Sequence, residues 1–413
     1  MLILDLLYFL LLLILWPFWL KYLLKPSYRA LLKDRLRPRP GLAGEPPLWI
    51  HAVSVGEVRS LKSLVEALKG QRVVLSVTTP AGYAFARGMF PDLQVFLAPL
   101  DLSFVVRRFI ETIRPRLIVF NELEIWPNWI ALLRRRRVPM LLINGRISQP
   151  AFRRYRFFGP LLRPFFRSVD RLLVQNDLYK QRFIRMGIAA ERITVCGNIK
   201  ADEAEGSLAG IPPPAEVFAL LQVPLLARRI VILASSHEED EAVFIPAIAA
   251  QATAYFFIIV PRHIERAEAI ADRLQQAGVR CTRHSRQKAA GGTIDCLIYD
   301  RMGFLFPIMS IADIVFMGGT FQAATGGHNL YEPAALGKVI VGGPHYDNFP
   351  EIGRDLEERG AYFRVSDSRE WQKFLATYPN IDRQRIGDNA RAAVAARKGS
   401  LACSIEHIRR YLG

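Results

Sequence analysis

The sequence predicts an α/β protein of two domains, each a parallel sheet covered by helices, behind an apolar N-terminal segment. Three observations lead to that class. At 413 residues the chain is about twice the length of a typical domain. Short β-rich apolar runs alternate with helix-like segments in two series, the rhythm of strands buried on both faces and joined by crossover helices. A Gly/Pro-rich stretch, GSLAGIPPP (206–214), separates the series as a linker would.

The composition, 51% hydrophobic and 23% charged, excludes a disordered or collagen-like chain. Lys and Arg number 55 against 38 Asp and Glu, a net charge of +17 that calls for a polyanionic partner. Cys196, Cys281, Cys296 and Cys403 stand far apart with no CxxC and no Cys/His cluster. They are expected to be small core residues in a reducing compartment, with no disulfide framework and no structural zinc.

Taken in order, the chain begins MLILDLLYFLLLLILWPFWL, in which Asp5 is the only charge. Leu6 to Leu20 is an apolar run of fifteen, at the lower edge of a spanning helix. An acid near the start and bulky residues at the end argue against a cleaved signal peptide. Trp16, Trp19 and Tyr22 suit a membrane interface. Seven Lys or Arg against one acid follow between Lys21 and Arg39, which by the positive-inside rule places the body of the protein in the cytoplasm. The length leaves open whether the segment spans the bilayer or lies in one leaflet.

The first strand series is LWIHAVSV (48–55), RVVLSVTT (72–79), LQVFLAP (93–99), RLIVFNE (116–122) and VPMLLING (138–145), with helices such as 57–69 and 104–113 between. The second is RIVILASS (229–236), YFFIIVPR (255–262), GVRCTRHS (278–285), DCLIYD (295–300), DIVFMGG (313–319) and GKVIVGGP (337–344). The expected partition is an anchor over 1–25, an N-terminal domain over 26–205, a linker over 206–228 and a C-terminal domain over 229–385. Residues 386–413 read as a helical segment packing back on the first domain. Two Rossmann-like domains on a short hinge form the GT-B architecture, in which ligands bind beyond the carboxyl ends of the strands, in the cleft between domains.

Four stretches could carry chemistry. In HAVSVGEVRS (51–60) a strand turns at Gly56 and presents Glu57, either as a base in the cleft or as an acid complementing a helix dipole. The dipole would lower its pKa and burial would raise it, so the sign is open. In NELEIWPNW (121–129), Glu122 and Glu124 would share a face on an extended backbone, as functional carboxylates or as solvated loop acids. Fifteen arginines against four acids between Arg107 and Arg171, laced with aromatics in AFRRYRFFGPLLRPFF (151–166), suit an anionic amphiphile at a membrane surface. No nucleic-acid-binding signature accompanies them, so no nucleic-acid partner is expected. In DIVFMGGTFQAATGGHNLYEPAALGKVIVGGPHYDNF (313–349), Gly318 and Gly319 end a strand and Gly326 and Gly327 precede a helix near Asn329. Such a turn cradles phosphate, and Glu332 could accept hydrogen bonds from ribose hydroxyls; a plain Gly-rich turn is the other reading.

These motifs together, HAVSVGEV, TTPAGY (78–83), NELEIWPN, NGRIS (144–148), CGNIK (196–200), ASSHEEDE (234–241), VPRH (260–263) and GGHNLYEPAALG, resemble the bacterial 3-deoxy-D-manno-octulosonic acid (Kdo) transferases of lipopolysaccharide synthesis. The resemblance spans roughly residues 48 to 365 in the same order. It implies an enzyme that moves Kdo from CMP-Kdo to the bisphosphorylated tetraacyl lipid A precursor at the bacterial inner membrane, on the cytoplasmic face. Glu57 would be the general base and Glu122 a second catalytic carboxylate. Arg262, Met302, Gly303, Gly318, Gly319, Asn329 and Glu332 would hold CMP-Kdo, and Ser236 and His237 would line the cleft. Transfer would invert the anomeric centre and need no metal or cofactor, since no DxD cluster accompanies the motifs. The family pattern MGEL reads MGFL here, with Phe304 in place of the acid, and Arg301 replaces a small hydroxyl residue. Two rivals stand beside this reading: a transferase or epimerase using a UDP-sugar, and a non-catalytic scaffold binding anionic lipid.

Overall fold

Runs of β-branched and aromatic residues bounded by Gly, Pro and polar turns form fourteen strands in the computed structural model, which describes residues 2–14, 26–38, 44–223, 228–287 and 294–412. The first seven are β1 (Leu48–Ala52), β2 (Val73–Val77), β3 (Gln94–Leu97), β4 (Leu117–Asn121), β5 (Met140–Gly145), β6 (Arg171–Val174) and β7 (Ile193–Val195). They make one wholly parallel sheet in the order β3-β2-β1-β4-β5-β6-β7. The others are β8 (Arg229–Ser236), β9 (Tyr255–Pro261), β10 (Cys281–Arg283), β11 (Cys296–Ile298), β12 (Ile314–Met317), β13 (Val339–Gly342) and β14 (Tyr362–Arg364). Their sheet, again parallel, runs β10-β11-β9-β8-β12-β13-β14. Every strand expected from the sequence is present, and the three it did not flag, β6, β7 and β14, have only three or four residues each.

Full burial of both strand faces explains the unbroken apolar runs: β1, β2, β4, β5 and β12 are buried at every position. Helices cover the sheet through apolar faces, as in Ser103–Ile113, whose Val105, Val106, Phe109, Ile110 and Ile113 are buried. The helix expected over 57–69 is two, Val55–Ser60 and Lys62–Ala67, meeting at Leu61.

One compact unit comprises Met1–Asp202 with Lys398–Gly413, and the other Glu203–Arg397. The C-terminal stretch divides accordingly. Helix Arg383–Ala395 packs on β13 and on the helices Tyr331–Ala335 and Pro350–Glu358 of the second unit. Helix Ser400–Leu412 packs on β5 and helix Lys62–Ala67 of the first. The Asp202 carboxylate accepts from the Gly399 and Leu401 N–H groups, both at 2.9 Å, where that helix begins.

The same return corrects the reading of the cysteines. Cys196 and Cys403, 207 positions apart, are joined as a disulfide, while Cys281 and Cys296 are free. Sequence spacing could not disclose the pairing, because only the docking of the last helix brings Cys403 to the end of β7.

At the N-terminus the described part of the expected anchor is α1 (Leu2–Ile14), followed by α2 (Pro26–Leu36); residues 15–25 lie outside the described residues. No described helix is long and apolar enough to cross a membrane.

Candidate active site

In each sheet the chain winds first to one side and then returns to the other, and the crevice at that reversal is where open α/β sheets bind ligands. The reversal falls between β1 and β4 in the first unit, and between β8 and β12 in the second. Glu57 follows β1 and Glu122 follows β4; His237 follows β8 and Gly318 and Gly319 follow β12.

In the first unit Ser54 caps helix Val55–Ser60, and its hydroxyl donates to Glu57 Oε1 at 3.2 Å. The Val53 N–H donates to Glu57 Oε2 at 2.9 Å. The side chain is therefore folded back to the strand end and oriented before any ligand arrives. Burial is the main cause that lifts its pKa to about 7, and the neighbouring carboxylates Glu122 and Glu124 add to it. Burial and the neighbouring charges thus outweigh the Val53 and Ser54 hydrogen bonds, which act to lower it, and the direction left open by the sequence is upward. Asn121, at the end of β4, donates through Nδ2 to the Glu57 carbonyl and to Ser60 Oγ, each at 3.2 Å, and ties the end of β4 to the helix that follows β1.

Glu122 does not continue the extended strand: its φ is +61°, a left-handed conformation that is uncommon for a non-glycine residue. The turn aims its carboxylate at Arg146, whose Nε donates to Oε2 at 2.7 Å. Burial, the largest cause, acts to lower the Arg146 pKa, but the Glu122 charge and hydrogen bond together with Tyr179 and Glu57 make the net direction up. Glu124 is pushed to about 7, first by burial and then by the Glu122 charge. The three acids thus form one electrostatic cluster, in which Glu122 carries the Arg146 guanidinium. Beneath it, His51 is fully buried, Nδ1 lying 2.8 Å from Ser76 Oγ, and burial drives its pKa down to about 3. A neutral imidazole packed against Phe120, Trp126 and Trp129 is a support for the floor of the site.

In the second unit, the close approach of β8 and β12 requires glycine. A Cβ on Gly318 would lie 2.4 Å from the Ser235 carbonyl oxygen, and Gly319 has φ +71°. Asp240 Oδ2 accepts from the His237 N–H at 2.8 Å and the Gly319 N–H at 2.7 Å, fixing the start of helix Glu238–Gln251 against the glycine turn. His237 and His328 rings are stacked with their Nε2 atoms 2.9 Å apart, within hydrogen-bond distance, the tautomer deciding which ring donates. Burial lowers the pKa of both, that of His328 to about 4, and the adjacent Arg262 charge acts in the same direction. Arg262 is exposed and, among the described residues, its guanidinium forms no ion pair. Asn329 Oδ1 accepts from the Tyr331 N–H at 3.1 Å, and the helix expected near Asn329 starts at Tyr331, with Glu332 in its first turn.

The predicted donor residues all belong to the second unit, and Glu57 and Glu122 to the first. Arg262, Gly318 and Gly319 gather around the His237–His328 pair. Met302 is 75% exposed, and no described hydrogen bond or ring contact joins Met302 or Gly303 to that group. Phe304 faces Tyr299, ring centroids 6.3 Å apart, in a place where an acid was expected. Sequence reasoning missed Asn121, Arg146 and His328. The motif NGRIS contains Arg146, but fifteen arginines between Arg107 and Arg171 hid the one that pairs with a site carboxylate. Among the described residues no group of three or more His, Cys, Asp or Glu is placed to hold a metal ion.

The profile of the family described as 3-Deoxy-D-manno-octulosonic-acid transferase (kdotransferase) matches residues 30–203. The chain is 34% identical to the 3-deoxy-D-manno-octulosonic acid transferase of Bordetella pertussis over 385 residues, covering 89% of this chain and 88% of the relative. It is 30% identical to that of Haemophilus influenzae, covering 94% of this chain and 92% of the relative. Among solved structures, a UDP-GlcNAc 2-epimerase from Neisseria meningitidis superposes with a TM-score of 0.61 at 12% identity, over 89% of this chain and 99% of that one. A glycosyltransferase from Rickettsia africae gives 0.61 at 13% identity over the same shares. At such identity the structural likeness speaks for a shared fold of two parallel-sheet units and for nothing finer.

Proposed function

Because the chain belongs to the 3-deoxy-D-manno-octulosonic-acid transferase family, we propose that it moves Kdo from CMP-Kdo onto the bisphosphorylated tetraacyl lipid A precursor, with Glu57 as general base. The observation that carries the mechanism is the pre-oriented Glu57 carboxylate at the strand reversal, its pKa raised to about 7. A base with a pKa near the working pH combines a useful deprotonated fraction with real proton affinity.

In the proposed step the acceptor hydroxyl oxygen attacks the anomeric carbon and its proton passes to a Glu57 oxygen. The bond from that carbon to the phosphate oxygen breaks, CMP departs with the electron pair, and the single displacement inverts the centre. Glu122, held by Arg146, sets the field around the base and positions the acceptor. Arg262, with backbone around Met302 and Gly303 and at Gly318 and Gly319, takes the charge growing on the leaving phosphate. Asn329 and Glu332 serve the nucleoside. No metal or other cofactor is invoked, as those cationic and N–H groups supply the electrostatic part.

The acceptor is a lipid, and three features support work at an anionic membrane surface, which we take to be the cytoplasmic face of the bacterial inner membrane. They are the net charge of +17, the basic run after the N-terminal apolar segment, and the exposed Phe157, Phe158 and Leu161 within an arginine-rich stretch. The test is transfer by the purified chain from CMP-Kdo, generated in situ, to the tetraacyl precursor, read by mass spectrometry. Mass increments of one or more Kdo units are expected, and their number counts the transfers. An unmodified acceptor, with the protein folded and lipid bound, would overturn the proposal.

A further inference from the structure

A carboxylate in an otherwise apolar N-terminal helix is costly unless it is hydrogen-bonded, and Asp5 is 7% exposed. Its partners come from the body of the first unit. Ser103 donates its backbone N–H to Oδ1 at 2.9 Å and its hydroxyl to Oδ2, and Asn128 Nδ2 donates to Oδ1 at 3.0 Å. One turn further along α1, the Tyr8 hydroxyl donates to Asp101 Oδ2 at 3.0 Å, and the Tyr8 ring packs against the core under the sheet. Asp101 is itself fixed, accepting from the Asn128 N–H at 3.3 Å and the Trp129 N–H at 3.1 Å. Asp5 and Asp101 thus complete the N-termini of helices Ser103–Ile113 and Pro127–Arg135, supplying acceptors that those helices lack in themselves.

Among the described residues, nothing covers the opposite side of α1. Leu6, Leu10 and Leu13, spaced one turn apart, are 59%, 45% and 67% exposed, with Phe9 and Ile14 beside them. Following in the chain, α2 and the residue after it expose Arg29, Lys33 and Arg37 at a spacing of four, a basic stripe complementary to anionic headgroups. A helix bonded along one side to a polar domain cannot be surrounded by lipid; lipid reaches only its outer ridge.

We propose that α1 lies in the plane of an anionic membrane surface, docked on the first unit through Asp5 and Tyr8 with its Leu6/Leu10/Leu13 ridge in lipid, and does not cross the bilayer as a free helix. This rests on the reading that the chain acts on a lipid-borne acceptor. Docking fixes the depth of the unit that carries Glu57 against the surface in which that acceptor sits.

The experiment places nitroxides on the full-length chain at Leu6→Cys, Leu10→Cys and Leu13→Cys, one at a time, in a Cys281→Ser background. The proteins are bound to vesicles of phosphatidylethanolamine and phosphatidylglycerol, and depth is read from collisions with oxygen and a polar relaxant. The three depths should agree within a few ångströms. A progressive change of about 10 Å from position 6 to 13, the rise of seven helical residues, would overturn the proposal. So would absence of vesicle binding, or self-association that covers the ridge. Asp5→Leu should keep vesicle binding, scatter the three depths and lose transfer to vesicle-borne acceptor, while transfer to detergent-dispersed acceptor persists. Asp5→Asn, which retains an acceptor oxygen, should restore the common depth even if Asp5→Leu folds poorly. Failure of the wild-type chain with dispersed acceptor would instead count against the transferase reading and leave the depth result standing.

Discussion

Glu57 shows how one residue's surroundings set both its chemistry and its cost. With a folded pKa of about 7 against an ordinary value of 4.5, the folded state binds the proton more tightly than the unfolded chain does. Stability is therefore lost as pH rises from about 4.5 to 7, while the basic form needed for transfer is gained over the upper part of that range. Two outcomes follow. The kcat/KM profile should rise with pH through an apparent pKa near 7, shared with Glu124 because both feel Glu122. Glu57→Gln should abolish the rise and lower transfer by about 10² to 10⁴, yet melt higher than wild type above pH 7 in a thermal scan. A variant that kept wild-type transfer would remove Glu57 from the mechanism. Arg146→Ala leaves Glu122 without its partner and should move the apparent pKa of the profile upward.

Among elements, the short segments after the strands decide what the sheets can hold. Gly318 sits where any side chain would strike the Ser235 carbonyl, so Gly318→Ala must push β12 away from β8. The expected cost is about 1–3 kcal/mol in urea unfolding, with KM for CMP-Kdo raised more than kcat is lowered. Another such element is helix Ser400–Leu412, which joins the first unit through Asp202 and Cys196. Asp202→Ala removes the acceptor for two N–H groups at its start and should cost about 1–2 kcal/mol, measured by denaturant midpoint at unchanged m. Strand alternation was legible because burial on both faces demands continuous apolar runs. The split at Leu61 was not, since both helices carry helix-compatible residues and only packing sets the bend.

For the whole molecule, the charge and the motif order agree with one activity. Transfer should persist in EDTA, because the cationic and N–H groups proposed to stabilise the departing phosphate belong to the chain; strict dependence on added Mg²⁺ would remove that part of the mechanism. CMP should compete with the donor and UDP should not, which separates this chemistry from that of UDP-sugar enzymes built on the same pair of sheets. Much of the candidate site was legible as motifs, because Gly turns and acids after strands have local signatures. Arg146 was not, since its role depends on a left-handed turn at Glu122 that aims one carboxylate at one guanidinium.

The sequence by itself determined the two parallel sheets, the order of the motifs and the family they belong to, because alternation and turn chemistry are written in neighbouring residues. Only the tertiary structure decided the proton affinity of Glu57, the bond between Cys196 and Cys403, and the docking of Asp5 on Ser103 and Asn128. Each depends on distances between atoms whose residues lie tens to hundreds of positions apart. Such distances exist only once burial has drawn the elements together and removed the water between them.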